Sequence, residues 1–164
     1  AGLAAAQRAR EAGVKVSFDG GAGRFRKEVV PLLAHVDIAV VAADWARKFS
    51  GHSDFHQAAR EIAALGPSLV GVTDGIQGSW LYPTGENIIH QPAFISPEVV
   101  DTTGCGDAWH GAFLAGMVRE MELPDCARLA SAVAALNTQN LGGRGNLVDM
   151  DSALAFADSA EVHA

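Results

Sequence analysis

Two glycines and a carboxylate lie close together near the middle of the sequence and could build a site for phosphate chemistry. Residues 101–107 read Asp-Thr-Thr-Gly-Cys-Gly-Asp and run directly into an apolar helical pattern. Glycine lets the backbone turn tightly and approach a ligand closely. The first N–H groups of a helix lack internal acceptors and carry partial positive charge. We therefore predict an anion hole made of main-chain N–H groups, contributed by Gly104, Cys105, Gly106 and Asp107.

Asp107 places a carboxylate of the protein where such a site should favour a bound phosphate. A carboxylate at this position could accept a proton from a substrate hydroxyl while the N–H groups stabilise charge on a transferring phosphoryl group. Asp107 is therefore our candidate catalytic base, and also the candidate residue that binds the acceptor. The alternative is that Asp107 only caps the helix that follows the glycine turn.

These residues resemble the second signature of the PfkB/ribokinase family of sugar kinases, which reads D-T-x-G-A-G-D. This chain has DTTGCGD, followed by WHGAF where the family has FNGA. The resemblance implies a ribokinase-like α/β fold with three α/β/α layers and a mostly parallel central sheet. It also implies an ATP- and Mg²⁺-dependent kinase that transfers the γ-phosphoryl group to a primary hydroxyl of a carbohydrate.

The family's chains are longer, and this sequence resembles only their C-terminal half. Residues 1–164 are therefore interpreted as the ATP-binding and catalytic part of a PfkB-type kinase domain, without the N-terminal sugar-binding part and lid. The sequence has no initiator Met and opens in a helical pattern, so we interpret it as a fragment or truncated form. We expect it to be nearly inactive alone, and the family's lid would be the route to a homodimer.

A second glycine turn follows the apolar run at residues 69–73 and resembles the family's nucleotide loop. The resemblance implies contacts with ATP from Thr73, Asp74, Gly75, Ile76, Gln77, Gly78, Gly106 and Ser131. The G-x-x-G spacing alone is a weak signal, because any tight connection between strands would use it.

The resemblance further implies a monovalent cation beside the anion hole, with K⁺ as the candidate. Its oxygen donors would come from Asp101, Thr103, Asn137, Asn140, Gly142 and Asn146. Oxygen ligands suit such hard cations. The alternative for Asp101 and Thr103 is a local turn in which side chains bond to the backbone and brace the loop.

Two positions depart from the family pattern. Cys105 replaces the usual alanine, and a thiol at a helix N-terminus can have a depressed pKa. A modifiable thiol that ATP shields is one hypothesis, and a small residue filling an alanine position is the other. The family's N-x-x-E, which organises Mg²⁺ and water, aligns with Ala42–Trp45. Neither family residue is present, so the Mg²⁺ arrangement is open and Asp44 is an unproven substitute.

The substrate is less well defined than the reaction. Residues 90–94 and 142–145 resemble family members that act on ketoses, including fructose, ketohexose and sulfosugar kinases. One alternative is a nucleoside or vitamin-precursor kinase of the same fold. Another is a nucleotide-binding regulatory protein without catalysis, which the missing N-x-x-E favours and Asp107 opposes.

Composition excludes several other classes of function. The 164 residues are 49% hydrophobic and 19% charged, as in a globular domain with a real core. The net charge of −7 and the lack of a basic block argue against nucleic acid or an anionic membrane as partner. No apolar run reaches the roughly eighteen residues needed to span a bilayer. Two cysteines make no disulfide framework, so we expect a cytoplasmic protein.

Hydrophobic periodicity predicts alternating strands and helices, as in a mostly parallel sheet covered by helices. The predicted strands are 14–19, 37–41, 69–73, 79–82 and 87–90, the last pair forming an antiparallel edge hairpin. The predicted helices are 3–12, 25–34, 43–49, one capped by Ser53, one after residue 107, one from Pro124 to Leu141, and one starting at Asp149 or Asp151.

Overall fold

The structure is a computed structural model, and it describes residues 2–164. The chain forms two compact units. The first holds the chain up to Asp74 together with Trp80–Ile89, and the second holds Gly75–Ser79 with His90–Ala164. Within residues 2–164, none of the helices combines the length and the apolar character that crossing a bilayer requires.

Helices and strands alternate through most of the chain. The strands are β1 (Ser17–Gly20), β2 (Ile38–Ala42), β3 (Leu69–Thr73), β4 (Ser79–Pro83) and β5 (Ile89–Gln91). The α-helices are α1 (Gly2–Glu11), α2 (Ala43–Ser50), α3 (Phe55–Ala63), α4 (Cys105–Val118), α5 (Leu123–Asn137) and α6 (Met150–Ser159). Two 3₁₀ helices span Lys27–His35 and Gly75–Gln77.

The five strands form one sheet in the order β1-β2-β3-β4-β5. β1 pairs with β2, and β2 with β3, in parallel, with Ser17 opposite Ile38 and Ile38 opposite Leu69. Strands buried on both faces read as continuous apolar runs, which explains why β2 and β3 were predictable almost to the residue. The predicted mixed, mostly parallel α/β sheet is confirmed.

Some boundaries differ from prediction because side chains bond locally to the backbone. β1 begins at Ser17 rather than Val14, and Val14 is 57% exposed. The N–H of Val16 donates to the Asp37 carboxylate (2.8 Å). A side chain therefore holds the backbone at Val16, and the pairing of β1 with β2 begins at Ser17. The predicted cap Ser53 is wrong. Asp54 caps α3, because its carboxylate accepts from the His56 N–H at 2.8 Å.

Two predicted helices also differ in extent. The segment predicted as a helix at 25–34 is the 3₁₀ helix Lys27–His35, which contains Pro31. Proline lacks the N–H that an interior helical position needs. α5 ends at Asn137 instead of Leu141, and α6 starts after the cap Asp149. The end of α5 matters for the site, because it places the side chain of Asn137 in the interior.

An aromatic cluster around Trp45 forms part of the core of the first unit. Trp45 stacks on Phe49 (5.7 Å between ring centroids) and meets Phe25 edge-on at 5.1 Å. Gly20 makes room for it. A Cβ at Gly20 would lie 2.6 Å from Val41 Cγ1 and 3.1 Å from the Trp45 ring. The end of β1 and the start of α2 are therefore joined by close apolar packing.

The second unit is built on helices α4, α5 and α6. Apolar side chains fill its core, including Phe94, Leu129, Ala132, Ala153 and Ala157. α4 approaches α5 closely at Gly116, where an added Cβ would lie 3.0 Å from Cys126 Sγ. This packing supports α4, whose first turn carries the candidate catalytic residues.

Candidate active site

The first turn of α4 has the open N–H groups that an anion site requires. Gly104 is the N-cap, with a left-handed φ of +77°, and no side chain caps the helix. The first bond of the helical pattern runs from the Ala108 N–H to the Gly104 carbonyl at 2.8 Å. Within residues 2–164, the N–H groups of Gly104, Gly106 and Asp107 have no acceptor, whereas that of Cys105 makes a long 3.3 Å bond to Thr102.

The side chain of Asp107 is exposed and does not cap the helix. Asp107 is the third residue of α4, and the capping position belongs to Gly104, so the alternative of a simple helix cap is wrong. Its carboxylate makes no hydrogen bond or ion pair with any described residue. A free carboxylate beside unsatisfied N–H groups is the arrangement that proton removal and phosphoryl stabilisation require.

Asp107 also lines a cleft of about 450 Å³ in the second unit. The cleft is walled mainly by apolar side chains and by the loop after α5. Its lining residues are Asp107, Ala108, Gly111, Ala112, Ala115, Arg119, Leu129, Val133, Gly143, Arg144, Leu147, Val148 and Met150. Sequence reasoning missed Gly143 and Arg144 as neighbours of the candidate catalytic residue Asp107. The pair Gly142-Gly143 was the available signal, because paired glycines often mark a close backbone approach.

The two glycines of the anion-hole turn have different roles. A Cβ at Gly104 would lie 2.6 Å from the Gly143 carbonyl oxygen, so the close approach of two backbones requires glycine there. A Cβ at Gly106 would meet nothing within 4 Å. The space beside Gly106 is therefore open to a ligand, and the expectation that a Cβ at this position would damage the pocket stays a prediction.

Asp101 braces the anion-hole turn. One carboxylate oxygen accepts the Thr103 N–H and the other accepts the Gly142 N–H, both at 2.8 Å. These bonds, first from Gly142 and then from Thr103, lower the pKa of Asp101. Asp101 therefore links the turn before α4 to the loop after α5, as the bracing alternative predicted.

Asn137 lies beneath the same turn and is fully buried. Its amide nitrogen donates to the Thr103 carbonyl at 3.4 Å, and its amide oxygen accepts from the Asn146 N–H at 3.5 Å. The Asn146 amide in turn donates to the Leu136 carbonyl at 3.1 Å and to Gln139 at 3.3 Å. Asn140, by contrast, is exposed.

Five of the six residues predicted to hold K⁺ are joined by hydrogen bonds around the turn, and Asn140 is the exception. The oxygens of Asp101, Thr103 and Asn137 all accept N–H groups from the chain. Each of these oxygens accepts one N–H and keeps a second lone pair. Binding of K⁺ at this turn therefore stays a prediction.

Cys105 lies at the start of α4 and is half-buried. Desolvation raises the pKa of its thiol, and this outweighs the hydrogen bond from Asn137, which lowers it; the negative charge of Asp101 adds to the increase. The hypothesis of a depressed pKa is therefore wrong in direction, because burial disfavours the thiolate more than the helix terminus favours it.

We expect Cys105 to react slowly with iodoacetamide at pH 7, with the rate still rising above the ordinary thiol pKa of about 8.5. Labelling followed by peptide mass spectrometry over pH 6–10 measures this directly. Cys126, which is fully buried, reports global unfolding in the same experiment. Fast Cys105 labelling that is independent of pH near neutrality would contradict the expectation.

The glycine turn predicted to bind nucleotide has a structural reason of its own. Gly78 has a φ of +91°, and an added Cβ would clash with the Gln91 carbonyl and lie 2.9 Å from Pro92 Cα. Thr73 and Asp74 belong to the first unit, where Asp74 pairs with Arg47 at 3.2 Å; Gly75, Ile76, Gln77 and Gly78 belong to the second. Contact of these residues with ATP stays a prediction.

Ser131 is nearly buried in α5. Its hydroxyl donates to the Pro92 carbonyl at 3.3 Å, so the chain itself uses this donor. The predicted contact between Ser131 and the nucleotide base likewise stays a prediction.

The region that aligns with N-x-x-E is mostly apolar. Trp45 occupies the place of the glutamate and is 1% exposed. One oxygen of Asp44 accepts the Gly23 N–H at 2.8 Å and pairs with Lys48 at 3.3 Å, while the other is buried without a partner. In the described part of the chain, no group of His, Cys, Asp and Glu side chains could hold a metal ion. Asp44 as a substitute ligand for Mg²⁺ stays a prediction.

The sequence matches one family of known proteins and is similar to several of their members. The sequence model of the pfkB family carbohydrate kinases matches residues 1–150. The ATP-dependent 6-phosphofructokinase of Thermoanaerobacterium thermosaccharolyticum is 31% identical over 133 residues, which are 81% of this chain and 41% of that protein. The nucleoside kinase of Methanothermobacter thermautotrophicus is 34% identical over 93 residues, or 57% of this chain and 29% of that protein.

The fold is also similar to that of a solved kinase. The structure of Arabidopsis thaliana ribokinase complexed with ribose and ATP superposes with a TM-score of 0.87 at 30% identity, covering 95% of this chain and 51% of that one. The chain thus spans about half the length of this ribokinase, and the matched regions are less than half of the two curated relatives.

Proposed function

The chain belongs to the pfkB family of carbohydrate kinases, and from that premise we propose that it forms the ATP-binding and catalytic part of a sugar kinase. The reaction is transfer of the γ-phosphoryl group of ATP to a primary hydroxyl of a carbohydrate. The observation that carries the proposal is the exposed Asp107 carboxylate at the first turn of α4, beside N–H groups that have no acceptor among the described residues.

Each part of this turn has a role in the reaction. The Asp107 carboxylate accepts the proton of the attacking hydroxyl, whose oxygen forms the new bond to the γ-phosphorus as the bond to the bridging oxygen of ADP breaks. The N–H groups of Gly106 and Asp107 stabilise charge on the phosphoryl oxygens during transfer. The positive end of the α4 dipole acts in the same direction.

We propose MgATP as the phosphoryl donor. Mg²⁺ commonly binds through substrate phosphates and water, with only one or two protein carboxylates. When bound to ATP, it would neutralise phosphate charge. Because Asp44 is engaged with Gly23 and Lys48, the proposal assigns Mg²⁺ to the nucleotide and derives no step from a protein metal site. We also propose that the protein is cytoplasmic, because a kinase needs a supply of ATP.

The acceptor is proposed to be a sugar, with a ketose as the narrower assignment. The residues that support the ketose assignment are the stretch 90–94 and the turn 142–145, which includes Arg144 beside the cleft. The similarity to a nucleoside kinase favours a nucleoside as the second candidate acceptor. Because the relatives are longer, we propose that a further sugar-binding part is needed for turnover; dimerisation through that part stays a prediction.

The proposed function is tested by measuring acceptor-dependent ADP formation by the full-length protein with ketoses, aldoses and nucleosides. We expect turnover with a sugar and product analysis that places the phosphate on a primary hydroxyl. Turnover with nucleosides alone would favour the second candidate. ATP binding without any acceptor-dependent ADP formation would contradict a kinase and favour a regulatory protein.

A further inference from the structure

The loop after α5 carries a single side chain in the turn that lies beside the anion hole. In this turn, Gly142-Gly143-Arg144-Gly145, Arg144 is the only residue that is not glycine. The turn is closed by a hydrogen bond from the Gly145 N–H to the Gly142 carbonyl at 3.0 Å. Because glycine has no Cβ, the neighbours of Arg144 in the chain do not crowd its side chain.

The backbone of this glycine-rich turn is fixed against the turn before α4. The N–H of Gly142 donates to the Asp101 carboxylate at 2.8 Å. Gly143 lies so close to the N-cap of α4 that a Cβ on Gly104 would be 2.6 Å from the Gly143 carbonyl oxygen. Arg144 therefore extends from a defined backbone position, one residue from the contact with the N-cap.

The guanidinium group of Arg144 is available to a ligand. Its side chain is exposed and makes no hydrogen bond or ion pair with any described residue. It lines the same cleft of about 450 Å³ as Asp107. Arginine presents its N–H donors in a planar fork that matches the oxygens of a phosphate group. One cleft therefore holds both a proton acceptor and a group suited to binding phosphate.

The other basic side chains of the second unit are less suited to this role. The unit contains three arginines and no lysine, namely Arg119, Arg128 and Arg144. Arg128 is paired with Asp158. Arg119 is the C-cap of α4, and because a helix rises about 1.5 Å per residue, it lies about 18 Å along α4 from Asp107. Arg144 is therefore the arginine of this unit that combines an unpaired charge with a position beside the anion hole.

We propose that Arg144 is a further catalytic residue, which binds the γ-phosphoryl group of ATP during its transfer. The inference rests on the proposed kinase function. Two N–H groups of the guanidinium bind two phosphoryl oxygens, while the N–H groups of Gly106 and Asp107 bind from the α4 side. Negative charge is spread over these oxygens during transfer, and a cation placed beside them stabilises it.

Arg144 keeps its proton throughout the reaction. The proton of the acceptor hydroxyl moves to the Asp107 carboxylate, and the hydroxyl oxygen forms the new bond to phosphorus as the bond to the bridging oxygen of ADP breaks. Arg144 therefore acts by charge and by geometry alone, as phosphoryl transfer generally requires of a protein.

The position of Arg144 favours the transferring group over a phosphate that the acceptor already carries. A second phosphate on a sugar would be separated from the reacting hydroxyl, beside Asp107, by the length of the sugar. The turn that carries Arg144 instead contacts Gly104, the N-cap of the helix whose N–H groups receive the transferring group. The kinetic test below separates these two phosphates.

The first test measures the affinities of the full-length protein for MgATP and MgADP by calorimetric titration. We expect Arg144→Ala to lower the preference for ATP over ADP about 10-fold, because a charge-assisted contact with the γ-phosphoryl group is lost. Arg119→Ala is the matched control, since it removes the same charge from the far end of the same cleft and should keep the preference. An unchanged preference in Arg144→Ala would overturn the proposal.

The second test is steady-state kinetics of Arg144→Ala and Arg144→Lys. We expect kcat to fall about 10²-fold in Arg144→Ala, as on removal of one donor to a developing charge, with little change in the KM for the acceptor. Arg144→Lys keeps the charge but not the planar fork, so its kcat should be intermediate. An unchanged kcat with a raised KM for the acceptor would assign Arg144 to the acceptor and overturn the proposal.

The two tests also separate this inference from the proposed function. If no acceptor supports turnover, the kinase function fails, while the ATP/ADP preference still decides whether Arg144 binds the γ-phosphoryl group. If turnover occurs and both Arg144 variants retain it in full, the inference alone fails. Because the side chain has no partner among the described residues, both variants should keep the thermal midpoint of the unaltered protein. A lower midpoint in both would assign Arg144 to the fold and overturn the proposal.

Discussion

Replacement of Asp107 by Asn is expected to lower kcat by about 10²- to 10⁴-fold, the usual contribution of a positioned general base. The amide keeps the size of the side chain but cannot take the proton of the acceptor hydroxyl. Affinity for ATP should change only severalfold, because the base acts in the chemical step rather than in nucleotide binding. Steady-state kinetics and calorimetric titration of ATP in the full-length protein measure the two effects separately.

Asp125→Asn is a matched control for this variant. Asp125 is also an exposed aspartate in the third position of a helix, α5. Both substitutions remove one negative charge from a first helical turn, with the same small effect on the helix dipole. A large kcat loss in Asp107→Asn alone therefore isolates the catalytic role. Near-normal turnover of Asp107→Asn would remove Asp107 from the mechanism.

The central features of this site were predictable because they are local in sequence. Gly104, Asp107 and the apolar pattern after them lie within one stretch, and the physics of a helix N-terminus acts over a single turn. The strands β2 and β3 were predictable for a similar reason, since a short continuous apolar run indicates a strand buried on both faces.

Features that depend on distant residues were mispredicted or missed. Burial raises the pKa of the Cys105 thiol, and burial depends on tertiary packing, so local reasoning about the helix terminus gave the wrong direction. The need for glycine at position 104 was predicted, but its cause is the backbone of Gly143 rather than only a ligand.

The glycine turn at residues 75–78, which was predicted to bind nucleotide, shows why a short pattern leaves the role of a turn open. Gly78 fits tightly against Gln91 and Pro92, so a purely structural demand would select the same residue. Trp45, which aligns with the family glutamate, departs from the family pattern instead of matching it. Trp45 is buried and packs against Phe25 and Phe49, so an apolar contact occupies that position in this protein.

Gly104→Ala is expected to damage both the fold and the reaction. At φ +77°, an alanine is strained by about 1–2 kcal/mol. Its Cβ would also lie 2.6 Å from the Gly143 carbonyl oxygen, an overlap with backbone that costs about a further 1–3 kcal/mol. Movement of the turn to relieve this overlap would misplace the N–H groups, where loss of one donor costs about 10²- to 10³-fold in kcat.

Two other glycines separate these contributions in denaturant unfolding. Gly142 has a φ of +87° and open space around it, so Gly142→Ala should show only the conformational cost. Gly111 lies inside α4 with no neighbour within 4 Å, so Gly111→Ala should raise the free energy of unfolding by about 0.5–1 kcal/mol. If Gly104→Ala were no more destabilising than Gly142→Ala, the contact with Gly143 would not be tight. The inference that a close approach of these two backbones shapes the anion hole would then be wrong. The ordering Gly104, then Gly142, then Gly111 is therefore what the geometry of this turn requires.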